Sequence, residues 1–305
     1  MNKVIILLGP TGVGKTGASI LLAKELNTDI ISADAMQIYR HMDIGTAKPT
    51  PEERAAIKHH MIDIVDPWCS FSTGKYIAEV TPVIEELHKK GKIPIIVGGT
   101  GLYIKAMTRG IFSGPSADWT LREKLLAMEE EEEGSLYTYL IELDPSAAQK
   151  ISRNDTRRTI RALEVYLKSN TSISEMQREL TKPLPCEFIK IGLTRDRKEL
   201  YGLIEKRVTM MIESGLVEEV RNILTMGPDR TPMQAIGYKE IALYLKNEIS
   251  LDEAIALIKR GTRRYAKRQF TWFRKEEEIH WIDLTGLHES HEYFGQINEI
   301  LRPLL

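Results

Sequence analysis

Gly9-Pro10-Thr11-Gly12-Val13-Gly14-Lys15-Thr16 has the spacing GxxxxGK[ST] of a loop that cradles phosphate. Its glycines let backbone N–H groups turn inward around phosphate oxygens at the positive end of the helix that follows. Lys15 adds a charge, and the Thr16 hydroxyl is placed to ligate Mg²⁺. Such a loop asks for a polyphosphate without saying which. The β,γ-phosphates of a nucleotide and the diphosphate of an isoprenoid offer the same oxygens. Further on, Asp34 closely follows the apolar pair Ile30-Ile31. A carboxylate there can take a proton from an attacking nucleophile, hold Mg²⁺ through water, or do no more than cap a turn.

Both candidates need elements to hold them. Residues 4–8 are a continuous apolar, β-branched run that stops at Gly9, as a strand buried on both faces of a parallel sheet does. A helical pattern follows over 17–26, then strand-like runs at 29–31, 62–65 and 93–97, with a helix over 76–90. Strands alternating with helices predict an α/β fold whose core is a P-loop NTPase-like parallel sheet. From Gly114 the texture changes to an acidic run at 129–133 and helical segments near 137–141 and 157–168. A strand returns at 188–193, followed by helical stretches over 198–225 and 251–273. The expectation is a discontinuous core, 1–113 and 188–305, interrupted by a mainly helical insertion domain over 114–187. In a parallel sheet Asp34 shares the carboxyl edge with the phosphate loop, and ligands bind at that edge.

With 42 Lys+Arg against 43 Asp+Glu among 305 residues the net charge is −1, so a nucleic-acid partner has to be held by local basic clusters. One such cluster lies between Lys259 and Lys275, which carries eight Lys/Arg and no acid. On a helix, Arg260, Arg263, Arg264, Lys267, Arg268, Arg274 and Lys275 fall within an arc of about 140°. Tyr265, Gln269, Trp272 and Phe273 take the opposite, packed face. Charged faces usually mix signs, so this one reads as a phosphate track. Cys69 and Cys186 form neither a CxxC pair nor a zinc pattern, and the apolar runs are short; a cytoplasmic protein without membrane contact is expected. The strand at 93–97 ends in glycines where a nucleotide-hydrolysing protein would place an acid. No NKxD or LSGGQ motif is present, and the DxxG at 283–286 reads as a strand end and turn. Three readings remain: a P-loop transferase of a diphosphate-borne group, a small-molecule kinase, and an RNA-binding module with a regulatory loop.

Motifs along the chain narrow these. Residues 9–16 and 32–40, continuing into Met42-Asp43-Ile44-Gly45-Thr46-Ala47-Lys48-Pro49, resemble signatures of the tRNA dimethylallyltransferases. The series runs on through His59-His60-Met61-Ile62-Asp63, Gly98-Gly99-Thr100-Gly101-Leu102-Tyr103, and Asn154-Asp155 with Arg158 and Arg161-Ala162-Leu163-Glu164. It closes with Gln234-Ala235-Ile236-Gly237-Tyr238-Lys239-Glu240 and Tyr265-Ala266-Lys267-Arg268-Gln269 with Trp272-Phe273-Arg274. The resemblance implies Mg²⁺-dependent transfer of a dimethylallyl group from dimethylallyl diphosphate to the exocyclic amine of the adenosine following the anticodon. It casts Asp34 as general base, Thr100 as a lining of the reaction channel and Arg207 as a diphosphate ligand. It assigns Gly9, Pro10, Thr11, Gly12, Val13, Gly14, Lys15 and Thr16 to diphosphate, with Thr16 on the metal. Asp34, Ala35, Met36 and Gln37 would meet the extruded base. Arg157, Arg158, Thr159, Ile160 and Arg161, with Arg264, Lys267 and Arg268, would hold the anticodon arm. Ala35 stands where the family usually has serine. No Cys/His finger of the kind many eukaryotic members carry is seen, so the bacterial type is the closer match, and the resemblance implies a monomer.

Overall fold

The computed structural model describes residues 2–112 and 114–305. They form two compact units, one of residues Met1–Ile104 with Pro185–Leu305, the other of Lys105–Leu184. The second unit thus begins at Lys105 and ends at Leu184, against the expected 114–187; the expected boundary at 113, like residue 1, lies outside the described residues.

In chain order the first unit contains β1 (Lys3–Leu8), α1 (Lys15–Glu25), β2 (Ile30–Ala33), α2 (Pro51–Ala56), β3 (His59–His60), α3 (Thr73–Lys89) and β4 (Ile95–Gly98), followed by α4 (Gly101–Thr108), which runs into the second unit. The second unit adds α5 (Trp119–Glu131), α6 (Ser135–Leu143), α7 (Pro145–Ala148), α8 (Thr156–Ser169) and α9 (Ile173–Leu180). The chain then returns through β5 (Glu187–Thr194), α10 (Arg197–Glu213), α11 (Leu216–Thr225), α12 (Tyr238–Leu245), α13 (Leu251–Phe273), β6 (Ile279–Asp283) and α14 (Ser290–Leu301).

The strands pair in the order β3-β2-β4-β1-β5-β6, and every pairing is parallel. Val4 to Leu8 are fully buried, which explains why that run is apolar at every position and does not alternate. β4 lies between β1 and β2. The chain therefore leaves β1 through α1 in one direction and meets β5 on the other side, and this reversal opens a crevice at the carboxyl ends of the strands. The loop 9–14 and Asp34 both leave the sheet at that crevice.

Two expectations are corrected. Residues 62–65 are not a strand. The β2 neighbour is His59–His60, and the backbone at Met61 (φ 62°) and Asp63 (φ 56°) turns left-handed, which ends the ladder. Residues 63–65 instead donate to the carbonyls of Gln37 and Ile38, leaving one bridge, Tyr39 to Val65. The helical stretch 198–225 breaks into α10 and α11 at Gly215 (φ 98°). The DxxG at 283–286 does mark the end of β6 and a turn through Gly286 (φ 78°).

The second unit has its own core, built on Leu125, Leu136, Leu140, Ile160, Leu163 and Val165. Beside it Glu164, fully buried, accepts from Arg122, Arg161 and the Asp118 amide. Those partners hold its carboxyl below the usual range against the opposing effect of burial. Among the described residues no helix is long and apolar enough to cross a membrane.

Candidate active site

The loop after β1 turns through Gly12 (φ 83°) and Gly14 (φ 113°), conformations that a Cβ would strain, and so delivers its amides to the amino end of α1. Lys15 folds back over it, its ammonium donating to the carbonyls of Gly9 and Pro10 at 2.9 Å each. Burial, and next the neighbouring Arg207, push that ammonium down to about 7, while the field of Asp34 opposes the shift. Arg207, on α10, donates to the Thr11 hydroxyl, and its Nε is buried without a partner among the described residues. A buried orphan donor beside a lysine and a helix amino end fits an anion.

Asp34 begins the segment that leaves β2. Its Oδ1 accepts the amides of Met36 (2.8 Å) and Gln37 (3.3 Å), an Asx turn that fixes the carboxylate at the sheet edge. The turn-cap role left open by the sequence is therefore real, and it occupies only one oxygen. Thr100 braces the same turn from the end of β4: its amide donates to Ala33 O and its hydroxyl accepts the Ala35 amide at 3.0 Å.

Thr11, Gly12, Gly14, Lys15, Thr16, Asp34, Gln37, Arg207 and Gln269 line one cavity of about 300 Å³. Ile30, Pro49, Ile62 and Val97 add apolar lining, and His59 and Ser32 polar lining. Loop and carboxylate thus open onto one shared space. The remaining site candidates stand behind that lining. Val13 faces the core, and Met36 packs on the cluster around Ile38 and Tyr39. Gly9 and Pro10 hold Lys15 through their carbonyls, and Ala35 and Thr100 hold each other. Gln37 commits its amide inside the protein, accepting from Ser32 Oγ (3.0 Å) and donating to the carbonyls of Thr46 (3.3 Å) and Ala47 (3.2 Å).

Two residues that the sequence places only on a packed face belong to the site. Gln269, buried on α13, accepts the Thr11 amide at 2.8 Å and donates to Gly99 O at 2.9 Å, tying the phosphate loop to the end of β4. Tyr265, one turn earlier, lies beside Thr100, Gln269 and the field of Asp34, and burial raises its phenol above the usual range. The available signal is a glutamine on the packed face of a helix, since a polar group placed there must find partners.

Along α13, Arg260, Arg264, Lys267, Arg268 and Arg274 are exposed. Arg263 leaves the stripe to pair with Glu205 and to sit over the Tyr201 ring. Trp272, expected on the packed face, is 37% exposed. In the second unit Arg157 and Arg158 are exposed, Arg158 pairing with Asp155, whereas Arg161 is held by Glu164. Thr159 and Ile160, expected to meet RNA with them, have buried side chains, at 1% and 6% exposure.

As to Mg²⁺, Thr16 is exposed and lines the cavity with Asp34. Among the described residues no group of three His, Cys, Asp or Glu is placed to cage a metal. That donor set fits a small hard cation carried largely by phosphate oxygens and water, with one hydroxyl from the protein.

A family model described as IPP transferase matches residues 37–276. The tRNA dimethylallyltransferase of Thermodesulfovibrio yellowstonii is 57% identical over 100% of this chain and 99% of its own. That of Thermotoga maritima is 48% identical over 99% of this chain and 98% of its own. Among solved structures, the tRNA isopentenylpyrophosphate transferase of Bacillus halodurans is similar at a TM-score of 0.73 and 41% identity, covering 99% of this chain and 98% of that one. A eukaryotic dimethylallyltransferase described as acting on tRNA is similar at a TM-score of 0.78 and 30% identity, over 99% of this chain and 80% of that one.

Proposed function

The chain belongs to the IPP transferase family, and from that premise we propose that it transfers a dimethylallyl group from dimethylallyl diphosphate to the exocyclic amine of the adenosine following the anticodon in tRNA, releasing diphosphate. The observation that carries the reading is the single cavity shared by Lys15, Thr16, Arg207 and Asp34. The named relatives are prenyltransferases, so prenyl transfer is preferred over the phosphoryl transfer that the loop alone would also permit.

The diphosphate lies against the amides of 11–16, Lys15 and Arg207, whose orphan Nε gains a partner. As the allylic C–O bond breaks, negative charge grows on the diphosphate, and these fixed donors stabilise the transition state more than the ground state. The adenine amine attacks the allylic carbon, forming the C–N bond, and its proton passes to Asp34, so no positive charge persists on the base. Mg²⁺, held by Thr16 and diphosphate oxygens, would add countercharge to the leaving group. To reach Asp34 the adenine must leave its stack, a cost of a few kcal/mol that backbone contacts offset. Gln37 shapes the wall that the base meets, and Thr100 and Gln269 hold the two ends of the site in register. We take the enzyme to act as a cytoplasmic monomer.

Incubation with unmodified tRNA and either prenyl-labelled dimethylallyl diphosphate or γ-labelled ATP tests this directly. Prenyl label is expected in the RNA, on the adenosine amine. Label arriving from ATP instead would replace the reading with a kinase.

The exposed arginines and lysine of α13 are assigned to the phosphate backbone. Replacing Arg264 and Lys267 together with alanine is expected to reduce the magnitude of the negative slope of log affinity for tRNA against log salt by about 1.4–1.8, without changing diphosphate affinity. Titrations at several ionic strengths check this, and an unaltered slope would place the RNA on another face.

A further inference from the structure

The segment from Asp34 to Pro51 crosses the carboxyl edge of the sheet as a strap with almost no regular structure, yet Gln37, Thr46, Ala47 and Pro49 from it line the cavity. Its backbone is left-handed at His41 (φ 65°) and Ala47 (φ 50°), conformations that non-glycine residues hold only when their surroundings impose them. Something outside the strap must therefore fix it.

Glu219, on α11, is that partner. Its carboxylate receives three successive strap amides: Asp43 and Ile44 on Oε2 at 2.8 Å each, and Gly45 on Oε1 at 3.0 Å. The Tyr238 hydroxyl, from α12, donates to the same Oε1. The Tyr238 ring lies so close to Gly45 that a Cβ there would stand 2.4 Å from it, so the strap is gripped by shape as well as by charge. Lys48, its side chain buried, ties off the next turn by donating to Tyr39 O, Asp43 Oδ1 and Asp63 Oδ1. From this anchor the network runs unbroken into the site. Thr46 and Ala47 offer their carbonyls to the Gln37 amide, and the Gln37 backbone donates to Asp34 Oδ1.

We propose that Glu219, locked by Tyr238, is a positioning residue for the transfer reaction: through the strap it sets the cavity wall around Asp34 and thereby the approach of the acceptor base, while leaving the diphosphate site alone. The kinetic part rests on the prenyl-transfer reading; the mechanical part does not.

The test uses the full chain with Glu219→Gln. A neutral amide has one acceptor oxygen where the carboxylate has two, so either the Asp43–Ile44 pair or Gly45 and Tyr238 must face an NH₂ group. Saturating transfer rate is expected to fall by about tenfold or more, since small misplacements in an active site are costly. The KM for dimethylallyl diphosphate is expected to stay within about twofold of wild type. Hydrogen exchange at the amides of residues 43–45 is expected to accelerate, with the loop 9–16 unchanged. A role in stability alone would lower the melting temperature and leave the transfer rate untouched. Glu219→Asp, which keeps the charge but is one methylene short, carries the same expectations should the glutamine variant not fold. A folded variant with wild-type transfer rate, or unaltered exchange at 43–45, overturns the proposal. If wild type transfers no prenyl group, the functional reading falls, and exchange alone decides whether Glu219 holds the strap.

Discussion

Asp34→Asn is expected to slow single-turnover prenyl transfer by about 10²–10⁴-fold while dimethylallyl diphosphate binds nearly as before. The substitution separates the turn, which the structure gives to Oδ1, from the base role, which the proposed mechanism gives to the other oxygen. Oδ1 accepts the Met36 and Gln37 amides, and an asparagine carbonyl does the same, so the turn and the strap it begins are retained. The other oxygen becomes an NH₂ group, which can accept no proton from the adenine amine. Binding is expected to be spared because the proposed mechanism gives the diphosphate to the loop amides, Lys15 and Arg207, not to Asp34. Removing a negative charge near two cations, if it acts on the diphosphate at all, favours it. Rapid-quench measurement at saturating tRNA isolates the chemical step, and a rate near wild type would take the base role away from Asp34. Asp34→Ala is the informative companion. It loses the turn as well as the proton acceptor, so any difference between the two variants reports what the Asx turn contributes to geometry.

The sequence announced the phosphate loop because that chemistry is local: strand, glycines, lysine, hydroxyl and helix are contiguous, and each is required by its neighbour. The buried strand at 4–8 and the helix Leu251–Phe273 were legible for similar reasons, the first from an unbroken apolar run and the second from a long periodic stretch with one packed and one basic face. What could not be read depends on partners distant in sequence. Residues 62–65 are as apolar as a strand, but they serve the strap rather than the sheet, and only the left-handed turns at Met61 and Asp63 reveal it. Glu219 looks like a helix-surface acid until the loop of 43–45 is laid against it, more than 170 residues earlier in the chain. Gln269 reaches Thr11 across 258 residues. Thr159 and Ile160 fell within an arginine-rich run whose helix turns them inward, so a contact segment read as a block mixes surface and interior.

Lys15→Met is expected to lower kcat/KM for dimethylallyl diphosphate by about 10²–10³-fold without lowering the melting temperature. The loss follows from where charge develops. In the proposed reaction the diphosphate leaves with more negative charge than it had in the substrate, and Lys15 stands at the loop proposed to receive it, so the missing ammonium is expected to be felt most in the transition state. The stability expectation runs the other way. Burial and the adjacent Arg207 hold the Lys15 ammonium well below the usual lysine range, which means the fold carries this charge at a cost. Methionine is unbranched, of similar length and free of that cost, and this gain offsets the loss of the donor that Lys15 had given to the buried carbonyls of Gly9 and Pro10. A group kept for function against stability is the pattern of a working active site. Calorimetry and steady-state kinetics on the same preparation separate the alternatives. A fall in melting temperature together with unaltered kcat/KM would make Lys15 a structural tie of the loop and move diphosphate stabilisation to Arg207 and the backbone amides.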